Sequence, residues 1–145
     1  MNITILRCVA TAVAAAAVLA MGAAAYAETI AFKADVNAAS SVPPTNSKGT
    51  GTVSAAYDTA TKTLTWTINY SGLTGPPTAA HFHGPAERGA NAGVAVPLTG
   101  SLASPIHGSA TLTDAQAADL MAGRWYLNIH TNENKGGEIR GQVIK

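Results

Sequence analysis

The stretch "TKTLTWTINY", residues 61–70, decides the fold. In it Leu64, Trp66 and Ile68 alternate with threonines and with Asn69. Successive side chains of a β-strand point to opposite faces, so this alternation predicts a strand with one buried face and one face in water. Such strands are typical of antiparallel sheets.

Segments on both sides of this stretch show similar strand patterns. They lie between turns rich in Gly, Pro and Asn, and they cover residues 29–38, 52–58, 91–98, 106–112, 124–131 and 137–144. One helix interrupts them: Thr113 and Gln116 fit a capping box, and Gly123 is suited to end a helix in a left-handed conformation. Seven or eight short strands with one short helix near residues 114–122 predict an all-β fold, an antiparallel Greek-key or immunoglobulin-like β-sandwich.

The first 27 residues have the layout of a secretory signal peptide. Arg7 supplies the positive start, an apolar run extends from Cys8 to about Met21, and Ala25-Tyr26-Ala27 forms an A-x-A cleavage pattern. We expect export to the periplasm or the medium and cleavage after Ala27, which leaves one domain, residues 28–145. An uncleaved membrane anchor is the alternative.

The composition excludes two classes of partner. Arg7 is the only charged residue among the first 27, so cleavage lowers Lys+Arg from 9 to 8 and leaves Asp+Glu at 8. A neutral chain without a basic stripe is not expected to bind nucleic acid, or a membrane once the signal is removed. Because Cys8 is the only cysteine, the exported domain has no disulfide. We expect a monomer.

The segment "AHFHGPA", residues 80–86, contains a His-x-His pair. On a strand, positions i and i+2 share a face and lie about 6.5–7 Å apart, so His81 and His83 can converge on one ion. His130 is the predicted third ligand, because it shares a strand face with other polar side chains. His107 is an optional fourth ligand.

A set of three or four imidazoles suits Cu(II) or Zn(II), and Cu(II) is favoured by its higher intrinsic affinity for nitrogen ligands. A structural alternative stays open for the same residues. His83 precedes Gly84-Pro85 and His130 precedes a turn, so each imidazole could instead brace a loop by bonding to one of its carbonyl groups.

Glu138 and Arg140 lie two residues apart in the last predicted strand. A carboxylate beside a guanidinium predicts an ion pair that pins this strand to a neighbour. No nucleophile with an adjacent base marks the sequence, so we do not expect an enzyme.

Two segments together resemble the CHRD domain family, "AHFHGPAERGANAGVAVPL" (80–98) and "LMAGRWYLNIHTNENKGGEIRGQV" (120–143). The resemblance implies an immunoglobulin-like sandwich without established enzymatic activity. We therefore expect an exported, non-enzymatic CHRD binding module that binds a metal ion. The alternative is a structural or adhesion module whose partner is an unknown envelope or extracellular protein.

Overall fold

The computed structural model of the protein describes residues 26–145. Residues 1–25 of the predicted signal peptide lie outside this described part. Within it, no helix has the length and apolar character needed to cross a membrane. The strands are β1 (Thr29–Asn37), β2 (Thr50–Asp58), β3 (Thr63–Ser71), β4 (Pro77–His83), β5 (Val94–Pro97), β6 (Ile106–Thr111), β7 (Trp125–Thr131) and β8 (Ile139–Val143), and the α-helix is α1 (Asp114–Met121).

The strands follow the order β5-β4-β7-β8-β1-β2-β3-β6, and all neighbours are antiparallel. The junction between β1 and β8 is short: Asn37 pairs with Arg140, and Lys33 forms one bridge with Ile144. The order bends there, so that the layer β5-β4-β7-β8 lies over the layer β1-β2-β3-β6. The all-β prediction with one short helix is confirmed, and the shape is a nearly barrel-like sandwich.

The core lies between the two layers, where the alternating residues of each strand meet. Leu64, Trp66 and Ile68 of β3 are buried as predicted. The Trp66 indole meets the Phe82 ring of β4 edge to face, with centroids 5.3 Å apart. Apolar burial of this kind is the main force that holds the layers together.

The outer face of the layer β5-β4-β7-β8 is also covered, by the loop of residues 84–93. Gln142 donates to the carbonyl oxygen of Ala86 at 2.8 Å, and Arg140 donates to that of Ala90 at 2.7 Å. Arg140 is therefore only 2% exposed although it points away from the core. This cover creates a second, polar interior on one side of the sandwich.

The helix begins and ends as the sequence predicts. The Thr113 hydroxyl accepts from the backbone N–H of Gln116, and the Gln116 side chain accepts from the backbone N–H of Thr113. Gly123 follows with φ of 70°, and Leu120 is fully buried. The capped helix therefore packs one leucine onto the core before β7 starts.

The predicted ion pair between Glu138 and Arg140 does not form. The Glu138 carboxylate bonds to side chains of Ser47, Thr74 and Thr131, whereas the Arg140 guanidinium bonds to oxygens of the 84–93 loop. Salt bridges in the described residues join Lys62 to Asp114 and Arg124 to Asp119. The i, i+2 rule fails here because Glu138 precedes the first residue of β8 and follows a turn.

Candidate metal centre

Strands β4 and β7 pair side by side and bring three histidines together. In their register Ala79 lies opposite His130, and His81 lies opposite Asn128. His81 and His130 are therefore diagonal neighbours on one face, a relationship within reach of long side chains. His83, two residues beyond His81, completes the cluster on the same outer face.

The nitrogen atoms of the cluster are close to the spacing that one ion requires. Nδ1 of His81 lies 3.2 Å from Nε2 of His130. One ring nitrogen from each of His81, His83 and His130 lies within 4.8 Å of the other two. A tetrahedral ion at 2.0–2.1 Å from each nitrogen separates its ligand atoms by about 3.3 Å. The His81–His130 pair already has this separation, and small rotations of the imidazole rings would bring the His83 nitrogen to the same distance.

Backbone carbonyls fix two of the rings. Nδ1 of His83 lies 3.0 Å from the carbonyl oxygen of Ala92, and Nδ1 of His130 lies 2.9 Å from that of Lys135. A carbonyl oxygen only accepts, so each Nδ1 carries the hydrogen, and in the neutral ring each Nε2 keeps its lone pair. Metal-bound histidines are commonly held by this kind of second hydrogen bond.

The same contacts brace the two loops that follow β4 and β7, so both interpretations of the sequence describe the same atoms. In both rings Nδ1 bonds to a loop, while Nε2 of His130 faces Nδ1 of His81 and Nε2 of His83 remains for another partner. His83 Nε2 is buried and has no hydrogen-bond partner within the described residues. A buried acceptor without a partner is costly, which is the condition that a bound ion would relieve.

The Tyr126 ring packs against the His83 ring. The two rings stack with centroids 4.9 Å apart, and the Tyr126 hydroxyl accepts from the backbone N–H of Ala92 at 3.0 Å. Tyr126 thus positions the residue whose carbonyl orients His83. The sequence carried no signal for the Ala92 or Lys135 carbonyls, since every residue has one.

The surroundings of His81 and His83 favour their neutral form. Burial lowers the pKa of His81, and the neighbouring His130 and His83 lower it further. Burial also lowers the pKa of His83, more strongly than its hydrogen bond to Ala92 raises it. Both shifts favour the neutral imidazole, which is the form that binds metal ions.

His107 does not join this cluster. It lies on β6 directly opposite Thr67 of β3, and its Nδ1 is 3.1 Å from the Thr67 hydroxyl. Trp66, which precedes Thr67 on β3, points into the core. Thr67 and His107 therefore face outward from the layer β1-β2-β3-β6. The expected optional fourth ligand therefore lies on the opposite side of the sandwich.

The sequence model of the CHRD domain matches residues 32–143, a range that includes all eight strands apart from the first residues of β1. Domains of this family are binding modules and are typically extracellular or secreted. No curated protein and no solved structure matches the chain. The matched range contains His81, His83 and His130 together with both loops that orient them.

Proposed function

This chain belongs to the CHRD domain family, and from that membership and the histidine cluster we propose that it is an exported, non-enzymatic binding module for a metal ion. The ligands are His81, His83 and His130. The observation that carries the proposal is the buried, unpartnered Nε2 of His83, held beside two further imidazoles by a bond from its Nδ1 to the Ala92 carbonyl.

The donor set supports copper ahead of zinc. Three imidazole nitrogens without a thiolate suit Cu(II) and Zn(II), and the intrinsic affinity of nitrogen ligands is higher for Cu(II). Three protein ligands leave a coordination position for water or for a group from another molecule. Binding and release of copper outside the cytoplasm is the role that this site fits best.

A second candidate function is a protein-interaction or adhesion module in the envelope. It is favoured by one specific observation: His83 and His130 bond to the two loops that flank the cluster. In that case the histidines stabilise loop conformations, and the loops contact a protein partner.

Calorimetric titration with Cu(II) and Zn(II) tests the proposal. The metal-free protein is recovered from a secreting host, and its mass also tests cleavage after Ala27. We expect one ion per chain with a dissociation constant of about 1 μM or tighter for Cu(II), because the cluster is largely preformed. His81→Ala is the most informative variant, since the other two histidines also bond to loops.

His107→Ala is the matched control, because it removes an imidazole from the opposite side of the sandwich. Loss of at least tenfold in affinity in His81→Ala, with His107→Ala unchanged, supports the cluster as the site. Absence of binding to the folded wild-type protein would overturn the metal proposal and favour the loop-bracing role.

A further inference from the structure

A cavity of about 370 Å³ lies beside Arg140 and Gln142, on the outer face of β8. Its walls are residues 39–42, Pro44, the loop residues 88–89, and two side chains of β8, Arg140 and Gln142. This volume lies in the range of pockets that take small organic molecules. The three histidines are not among its lining residues.

Arg140 brings a buried positive charge to this cavity without a carboxylate partner. Its guanidinium donates to the carbonyl oxygens of Ala90 and Glu87 and to the side-chain oxygen of Asn91. These neutral acceptors and the Tyr126 ring, whose centroid lies 3.6 Å from the guanidinium carbon, fix its orientation, but none of them carries a negative charge. Buried charges are expensive without a counter-charge, and three of the five N–H groups of Arg140 are used in these bonds, which leaves one on Nη1 and one on Nε for an anion.

The remaining walls extend this charge pattern. Arg88 is exposed at the rim, and no Asp or Glu is among the residues that line the cavity. The adjoining depression is lined by one further positive residue, Lys33, and one negative residue, Asp35, whose formal charges sum to zero. The excess positive charge of the two depressions therefore comes from Arg88 and Arg140. The electrostatic field of the cavity therefore favours an anion.

Gln142 and the apolar wall define the rest of the ligand. Gln142 donates from Nε2 to the carbonyl oxygens of Ala86 and Gly123, while its Oε1 is buried without a partner within the described residues. Val42 and Pro44 provide an apolar surface nearby. An acceptor without a donor fits a ligand that carries an O–H or N–H group beside its anionic end.

We propose that this cavity binds a small carboxylate whose α-carbon carries a hydrogen-bond donor and a short branched apolar group. The carboxylate pairs with Arg140 and Arg88, the α-donor reaches Gln142 Oε1, and the apolar group packs on Val42 and Pro44. A free 2-hydroxy acid and the C-terminal residue of a peptide share this chemistry. The site is independent of the metal proposal, because it uses none of the histidines.

The test uses 2-hydroxyisovalerate for the free acid and N-acetylvaline for the peptide end, added to the isotope-labelled, metal-free protein. We expect saturable shifts of the backbone amide resonances of residues 39–42 and 88–89 in nuclear magnetic resonance spectra. The tighter of the two probes identifies the source. 2-Hydroxyisovaleramide, the neutral counterpart, is expected to bind at least tenfold more weakly, because it cannot pair with the guanidinium groups.

Two arginine variants assign the contacts. Arg88→Gln is expected to weaken binding about fivefold, the effect of one partly exposed ion pair, while Lys48→Gln removes an exposed charge outside the cavity and leaves binding unchanged. Arg140→Lys keeps the charge but loses the planar fork, and a loss of at least tenfold is expected. If Arg140→Lys does not fold, Arg88→Gln and the neutral amide decide the question.

No saturable shift with either acid at about 50 mM would overturn the proposal, since a site this weak would hold its ligand by less than 2 kcal/mol. Equal binding of the acid and its amide would overturn it as well. His81→Ala is expected to bind the acids normally, which separates this site from the metal site.

Discussion

The imidazole ring of His83 lies flat on the phenol ring of Tyr126, with their planes inclined by only 4°. The Arg140 guanidinium lies over the same phenol ring, 3.6 Å from its centroid. Because β4 and β8 flank β7 on opposite sides, His83 and Arg140 approach Tyr126 from opposite sides. One aromatic ring therefore lies between the histidine cluster and the guanidinium that lines the cavity.

The Tyr126→Phe substitution removes one hydroxyl and keeps the stack. That hydroxyl accepts from the Ala92 N–H, and the Ala92 carbonyl orients His83. We expect Cu(II) affinity to fall about tenfold, the usual effect of losing an outer-shell contact that holds a ligand. Calorimetric titration measures it.

Tyr70→Phe is the matched control for this prediction. The Tyr70 hydroxyl donates to the Leu102 carbonyl at 2.7 Å, and Tyr70 lies on β3, in the layer opposite the histidine cluster. Both variants are expected to lose about 1 kcal/mol of unfolding free energy. If Tyr70→Phe lowers the metal affinity as much as Tyr126→Phe does, the role assigned to Ala92 is wrong.

Glu138 predicts an acid-sensitive contribution to stability. Burial would raise its pKa, but hydrogen bonds from Ser47, Thr131 and Thr74 outweigh burial and lower the pKa to about 2. A depressed folded-state pKa stabilises the fold above the unfolded value near 4.5. The contribution, about 3 kcal/mol, is lost as the pH falls from about 4.5 to about 2. Glu138→Gln should therefore be less stable than wild type at pH 7.

The check is urea unfolding of both proteins between pH 7 and pH 2. The difference in unfolding free energy is expected to shrink as the pH falls, because the wild-type carboxylate becomes protonated. Glu133→Gln removes an exposed carboxylate in the preceding turn and should match wild type throughout. A difference that stayed constant with pH would mean that the lost contacts act through shape rather than charge.

Gly136 and Gly141 are expected to respond differently to substitution by alanine. A methyl group on Gly141 would overlap the backbone carbonyl of Asp35, whereas one on Gly136 would meet open space. Gly141→Ala is expected to cost about 2–3 kcal/mol through overpacking, and Gly136→Ala less than about 0.5 kcal/mol. Thermal unfolding of the two variants tests the difference, and equal effects would contradict it.

The capping box of α1 gives a fourth prediction. Thr113→Ala removes the acceptor for the Gln116 N–H and is expected to cost about 1 kcal/mol. Thr113→Ser keeps the hydroxyl and should restore most of that loss. If the alanine variant were as stable as wild type, the helix would be held by Leu120 packing alone. Chemical denaturation measures all three proteins.

The sequence predicts most of the fold because the governing rules are local. The alternation of Leu64, Trp66 and Ile68 and the pattern of Thr113 with Gln116 depend on neighbours within a few residues, and the structure confirms both. His81 and His83 were paired by the same period-2 rule. Their meeting with His130 required β4 and β7 to be neighbours, which the sequence suggested only through a shared polar face.

The predictions for His107, Arg140 and Glu138 were wrong because they depend on contacts between segments that are distant in the sequence. Alternation shows that His107 points outward, but it does not show which layer its strand joins. For Arg140 it indicates an outward face, but the covering loop of residues 84–93 makes that face an interior. Glu138 was assigned to Arg140 by spacing, although two of its three hydroxyl partners, Ser47 and Thr74, lie more than 60 residues away.

The contact between His81 and His130 joins positions 49 residues apart in the chain. An ion held by both side chains would act as a cross-link in a protein whose only cysteine is Cys8. Closing a loop of that length lowers the entropy of the unfolded chain by an amount equivalent to about 4 kcal/mol. A bound ion would therefore stabilise the fold, and a chain without the ion would open more often and be cut faster by proteases.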